Sequence, residues 1–266
     1  MMGTFRTTEI SDPLFENANL RYITVKSNHL KGRGDICVFV PGVANTSNLP
    51  IVILLHGVYG SAWAWSQKGG AHITASRLIK AGQIKPMILA MPSDGLWGDG
   101  SAYLPHNQFD FEQWIVNDVP AAVIENIEGA SDQSKIFISG LSMGGFGALR
   151  LGAKYSSLFS GISAHSAITS LEQMSQFVEE PLTCYTQAEK HDEDVFATML
   201  LHKDTLPPIR FDCGITDELI LYNRTLHQKM EEQHIPHQYA EFEGGHEWPY
   251  WIEHLKDSLL FFNQPG

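Results

Sequence analysis

Apolar residues along the chain fall into two periods. Short apolar or alternating runs recur at 20–25, 35–40, 51–55, 87–91, 135–138, 161–164, 210–214 and 237–242. Ile51-Val52-Ile53-Leu54-Leu55 is continuously apolar, the pattern of a strand covered on both faces. His237-Gln238-Tyr239-Ala240-Glu241-Phe242 alternates, as a half-covered strand does. The loop joining the first two runs carries Gly32 and Gly34 and reads as a hairpin. Between the later runs the spacing turns helical. Helices are predicted over 71–81, ending at Gly82, and over 110–128, where Trp114, Ile115, Val119, Val123 and Ile127 fall on one face and Pro120 kinks or restarts the helix. Three more are predicted over 147–155, 217–234 and 250–262. Residues 95–109 are rich in glycine and aromatics and read as a loop. Residues 167–205 are polar, acidic and loosely helical, with no strand signal.

Strands alternating with helices predict an α/β fold: a mostly parallel central sheet with helices on both faces, and a small helical lid or insertion near 167–205. No repeat, low-complexity tract or linker divides the chain, so 1–266 reads as one domain. In such sheets ligands bind at the carboxyl ends of the strands. The loops with unusual chemistry lie at those ends.

The 266 residues are 43% hydrophobic and 18% charged, within the range of globular proteins. The formal net charge of −12 argues against a nucleic-acid partner and against attraction to anionic membranes. The three cysteines, Cys37, Cys184 and Cys213, are far apart and read as buried, reduced thiols. No apolar stretch near the N-terminus suggests a secretory signal, and no run is long enough to span a bilayer. A cytoplasmic enzyme acting on a small molecule is the expectation, with a homo-oligomer left open.

The chemistry concentrates in Ser139-Gly-Leu-Ser142-Met-Gly-Gly-Phe-Gly147. Gly140-Leu141-Ser142-Met143-Gly144 is a G-x-S-x-G between an apolar run and a helix-forming stretch. That context makes it a nucleophile elbow: the serine is thrust out on a strained turn, with small residues two before and two after. The N-terminus of the following helix favours negative charge at the same point.

A serine hydroxyl needs a base within hydrogen-bond reach, and the base needs a third group to fix its tautomer. Gly214-Ile215-Thr216-Asp217 follows one predicted strand, and Glu243-Gly244-Gly245-His246-Glu247-Trp248 follows the next. One strand–helix–strand step separates them, so Asp217 and His246 should reach the sheet edge that bears Ser142. Asp212 and Glu218 compete with Asp217. Asp212, however, lies inside the strand run, and Glu218 one residue further into the helix. Acyl transfer also needs oxyanion donors. The Met143 N–H supplies one. The loop His56-Gly57-Val58-Tyr59-Gly60 supplies the other, with Val58 preferred and Tyr59 the runner-up. His56 reads as a structural hydrogen-bonder rather than a catalyst.

Tyr59, Trp97, His165 and Trp248 are candidates to touch substrate, with Trp63, Trp65 and Tyr103 as further lining or packing residues. Trp248 is also placed to pack beneath the histidine loop. The sequence has no H-E-x-x-H, cysteine pair, G-x-G-x-x-G or Walker pattern, so no metal and no cofactor is expected. Glu179-Glu180 and Asp192-Glu193-Asp194 read as a solvated acidic face.

Gly-Leu-Ser-Met-Gly-Gly-Phe-Gly-Ala-Leu-Arg at 140–150 resembles the elbow of the esterase D / Putative esterase family of α/β-hydrolases. Supporting matches are His56-Gly57 through Gly60, Phe111-Glu-Gln-Trp-Ile-Val-Asn-Asp118, Gly214 with Asp217, and Gly245-His-Glu-Trp-Pro-Tyr-Trp251. The resemblance implies a cofactor-free serine esterase with Ser142, Asp217 and His246 as its triad, nearest to the tributyrin-type esterases of short acyl chains. S-formylglutathione hydrolases and feruloyl or acetylxylan esterases are the alternatives. The first of these typically carry a cysteine-bearing segment where this chain has 56–61. The resemblance also makes 167–205 the variable lid or acyl pocket. Two rivals stand beside hydrolysis. Transfer to another acceptor would need a long apolar groove and export. A non-catalytic binding module would usually lack a triad member.

Overall fold

The computed structural model describes residues 4–43 and 46–264. Residues 1–3 of the N-terminal segment read above lie outside the described residues, as do 44–45 and 265–266. The strands are β1 (Thr8–Ile10), β2 (Leu20–Ser27), β3 (Gly32–Phe39), β4 (Ile51–Leu55), β5 (Ile88–Pro92), the short pair β6 (Pro105–His106) and β7 (Phe109–Asp110), β8 (Ile136–Leu141), β9 (Phe159–His165), β10 (Ile209–Gly214) and β11 (Gln238–Phe242). The helices are α1 (Ala71–Lys80), α2 (Phe111–Gln113), α3 (Val119–Asn126), α4 (Met143–Lys154), α5 (Val195–Leu201), α6 (Ile220–Glu232) and α7 (Trp248–Phe262).

Nine of the strands form one sheet in the order β1-β2-β3-β5-β4-β8-β9-β10-β11. The β2/β3 hairpin is antiparallel, as its glycine loop predicts, and β3 pairs antiparallel with β5. From β5 to β11 every pairing is parallel. β4 shows how the sheet divides the core. Ile51, Ile53 and Leu55 point into one apolar layer with Trp114, Val119, Phe146, Leu149 and Leu226. Val52 and Leu54 point into the other with Ala71, Ala75, Leu78, Leu255 and Leu259. Strand side chains alternate across the sheet, so a continuously apolar run is what a strand with helices on both faces requires.

Two expectations need adjustment. The helix predicted over 110–128 is broken into α2, a π-turn over Trp114–Asp118, and α3 with Pro120 in its first turn. Proline fits there because the first-turn N–H groups have no partner within the helix. The Asp192-Glu193-Asp194 cluster is not simply a solvated face. Asp192 is buried and pairs with Lys154 at 2.9 Å and Arg150 at 3.7 Å, while Arg150 also holds Glu112 at 2.5 Å. Asp194 caps α5 by accepting the Ala197 N–H at 2.7 Å. These charges fasten the 167–205 insertion to α4. The insertion itself consists of 3-10 turns and α5, as its loose helical character suggests. No described helix is long and apolar enough to cross a membrane.

Candidate active site

Ser142 sits between β8 and α4 at φ 55°, ψ −121°. A positive φ is costly for serine and is held only by a surrounding structure that over-determines it. Two glycines make that possible. A Cβ on Gly140 would collide with the backbone of Gly144, and one on Gly144 would collide with the carbonyl oxygens of Leu55 and His56. The turn is therefore packed backbone against backbone, across to β4. Gly144→Ala is expected to destabilise the fold by about 1–3 kcal/mol, because the opposing atoms are main chain and cannot move aside. A thermal melt checks this, and an unshifted midpoint would refute the close-packing argument.

The turn brings the Ser142 Oγ 2.9 Å from His246 Nε2. His246 Nδ1 faces both oxygens of Asp217, at 3.1 and 3.0 Å. Asp217 is buried and also accepts the Leu219 N–H at 2.8 Å. Burial alone would raise its pKa, but the hydrogen bond and charge of His246, with the Leu219 N–H, hold it below the ordinary aspartate range. The carboxylate is therefore ionised at neutral pH and can keep the proton of the imidazole on Nδ1, leaving Nε2 free to accept from Ser142. Phe177 stacks on the His246 ring at 5.2 Å, and Trp251 meets it edge-on at 5.0 Å.

Ser142 and His246 open onto a cleft of about 530 Å³. Its walls are the 56–64 loop, Phe177 and the segment around Trp248 and Trp251. From the 167–205 insertion only Phe177 lines it. Of the lid or acyl pocket expected from the insertion, the pocket wall is built elsewhere: most of it comes from the loop after β4 and from the start of α7.

The oxyanion candidates differ in a telling way. The Tyr59 N–H donates to the Asp99 carbonyl at 2.7 Å, so it is already committed. Val58, one residue earlier, lines the cleft, and among the described residues its N–H has no acceptor. Met143, the first residue of α4, likewise has no carbonyl partner there for its N–H. Asp99 also accepts the Glu179 N–H at 2.8 Å through its side chain, which ties the oxyanion loop to the insertion bearing Phe177.

The remaining candidates separate. Tyr59, 83% exposed at the mouth, Trp63 and Trp248 line the cleft. Trp248 also packs on Trp65 and Trp251, as expected beneath the histidine loop. Trp97 does not reach the cleft. It packs edge-on against His106 and Tyr185, at 4.6 and 5.4 Å, in the aromatic loop. His165 does not reach it either. It has no exposed surface, and both ring nitrogens are engaged, with Asp212 at 2.9 Å and Ser258 at 2.7 Å. Trp65 and Tyr103 are core residues that hydrogen-bond the Leu55 and His56 carbonyls at 2.9 Å. His56 is structural, accepting the Asp94 N–H at 3.1 Å and lying 2.7 Å from the Gly57 oxygen. The sequence reading missed Phe177 and Trp251, which bracket the histidine. The motif around 245–251 could have flagged the second, but nothing local marks the first.

Residues 27–262 match the family described as Putative esterase. An acetyl esterase of Caldicellulosiruptor saccharolyticus is 26% identical over 238 residues, 83% of this chain and 85% of that protein. Among solved structures, a ferulic acid esterase matches with TM-score 0.79 at 23% identity, over 97% of this chain and 98% of the other. An S-formylglutathione hydrolase from Agrobacterium tumefaciens matches with TM-score 0.76 at 18% identity, over 98% of both chains. At these identities the solved structures establish the shared fold alone. The family match covers β3 through α7, the elbow and the histidine loop included, and so the chain belongs to the Putative esterase family and is a hydrolase of carboxylic ester bonds.

Proposed function

We propose that Ser142, His246 and Asp217 form the triad of a serine carboxylesterase acting on short-chain acyl esters. The observation that carries the reading is the unbroken row from Ser142 Oγ through His246 to Asp217, at 2.9, 3.0 and 3.1 Å, opening on an apolar cleft. Ser142 attacks the ester carbonyl as His246 Nε2 takes its proton. The oxyanion is held by the N–H groups of Met143 and Val58, for which no other acceptor stands among the described residues. The alcohol leaves with the proton from His246. Water then repeats the sequence on the acyl-enzyme. The acetyl esterase relative supports the short acyl group. The three free cysteines support a reducing, cytoplasmic setting.

A second reading follows from the cleft walls. Tyr59, Trp63, Phe177, Trp248 and Trp251 line it, and aromatic walls suit an aryl-bearing ester. One substrate panel tests both. In a p-nitrophenyl series from acetate to palmitate, kcat/KM is expected to peak at acetate to butyrate and to fall with longer chains. A peak at palmitate overturns the short-chain reading. Methyl ferulate cleaved better than methyl butyrate would favour the aryl reading, and S-formylglutathione serves as the thioester arm.

A further inference from the structure

Behind the cleft lies a second Ser–His–Asp string with no exposed surface at all: Ser258, His165 and Asp212. His165 bridges the other two, and Ser258 Oγ also lies 2.6 Å from Ser163 Oγ. Asp212 is surrounded by donors. Arg210 donates to Oδ2 at 2.5 Å, and the Tyr250 hydroxyl donates to Oδ1 at 2.7 Å. Asp257 on α7 approaches Arg210 at 3.8 Å. Burial alone would raise the pKa of Asp212, but His165, Arg210 and Tyr250 together lower it to about 2. It is a permanent buried anion, sealed from any substrate.

This string touches the backbone of each element that carries a reacting group. The His165 carbonyl accepts the Ser142 N–H at 3.0 Å. Asp212 lies in β10, whose end leads to Asp217. Tyr250 stands in the first turn of α7, just past His246. Its ring presses on the histidine loop: a Cβ on Gly244, which has φ 130°, would come within 2.8 Å of it. On the other side, the Gly244 carbonyl accepts from Thr216 twice, from N–H at 3.0 Å and from Oγ1 at 2.8 Å. The backbone behind His246 is thus clamped between the acid loop and the Tyr250 ring.

We propose that Tyr250 is a positioning residue for His246: its hydroxyl, fastened to Asp212, sets the ring against Gly244 and so fixes the reach of Nε2 to Ser142. The proposal rests on the reading of His246 as general base. Small displacements matter at that distance, since about 1 Å of misplacement costs about 10²-fold in rate.

Tyr250→Phe keeps the ring and removes the anchor. With p-nitrophenyl acetate, and with active sites counted by fluorophosphonate titration, kcat is expected to fall about ten- to a hundredfold while KM stays within about twofold. Ser258→Ala removes an equally buried hydrogen bond two turns further along α7, and should lower the melting temperature without that split. Parent-like kcat in Tyr250→Phe, or equal kcat losses in Tyr250→Phe and Ser258→Ala, would overturn the proposal. Ser142→Ala separates the two levels. If it retains turnover, the reading of the site falls. If it is dead while Tyr250→Phe is parent-like, only the positioning role falls.

Discussion

Ser142→Ala is expected to lower kcat on p-nitrophenyl acetate on the order of 10⁶-fold and to abolish fluorophosphonate labelling, with the circular dichroism spectrum unchanged. The size follows from the row of hydrogen bonds. With no Oγ, the imidazole 2.9 Å away has nothing to activate, and the Met143 and Val58 N–H groups can stabilise only a much slower attack by water. The fold should not notice. Alanine at φ 55° is strained as serine is, and the clamp of Gly140, Gly144 and the β4 carbonyls is untouched. Residual turnover within a hundredfold of the parent would remove Ser142 from the mechanism.

Asp217→Asn should cost kcat about 10⁴-fold while leaving the geometry nearly intact. Asparagine keeps an oxygen for the Leu219 N–H, so the loop retains its internal bond. What changes is the proton on His246. An amide nitrogen facing Nδ1 donates, so Nδ1 must accept and the proton moves to Nε2. There it opposes the Ser142 hydroxyl instead of receiving from it. The imidazolium of the transition state also loses its counter-charge. The measurement is kcat across pH together with an active-site titration. A loss of less than tenfold would return the acid role to a neighbour such as Glu218.

The proposed triad was legible because each member follows a strand, and strand ends are marked by where apolar runs stop. Asp212 and Asp217 show how fine that distinction is. Five residues apart, one lies in β10 and pairs with His165, the other lies past its end and pairs with His246. The reading that set Asp212 aside as a strand residue used the boundary alone. The same logic failed for His165. It ends β9 beside the elbow, but its side chain faces α7, and one residue of strand parity separates those outcomes. Trp97 was misplaced because an aromatic loop has no period to give direction. The cluster around Asp192 was misread because its cations, Arg150 and Lys154, stand some forty residues earlier in the chain. β1, three residues long and largely exposed, has too few side chains to carry a pattern. The break in the 110–128 helix and the approach of Phe177 to the histidine depend on tertiary packing that no local spacing encodes.

The packing around His246 governs traffic as well as chemistry. Asp217 occupies Nδ1, Phe177 covers a ring face and Trp251 abuts the ring edge-on, so Nε2 is reached from the cleft. In the proposed mechanism this doorway serves both halves of the reaction. The hydrolytic water comes in by the route the alcohol takes out, and it waits until that route is clear. An alcohol that lingers in the cleft therefore competes with water for the same acyl group from the same side. Under that mechanism, the balance between hydrolysis and exchange of one alcohol for another would follow how fast the first alcohol departs.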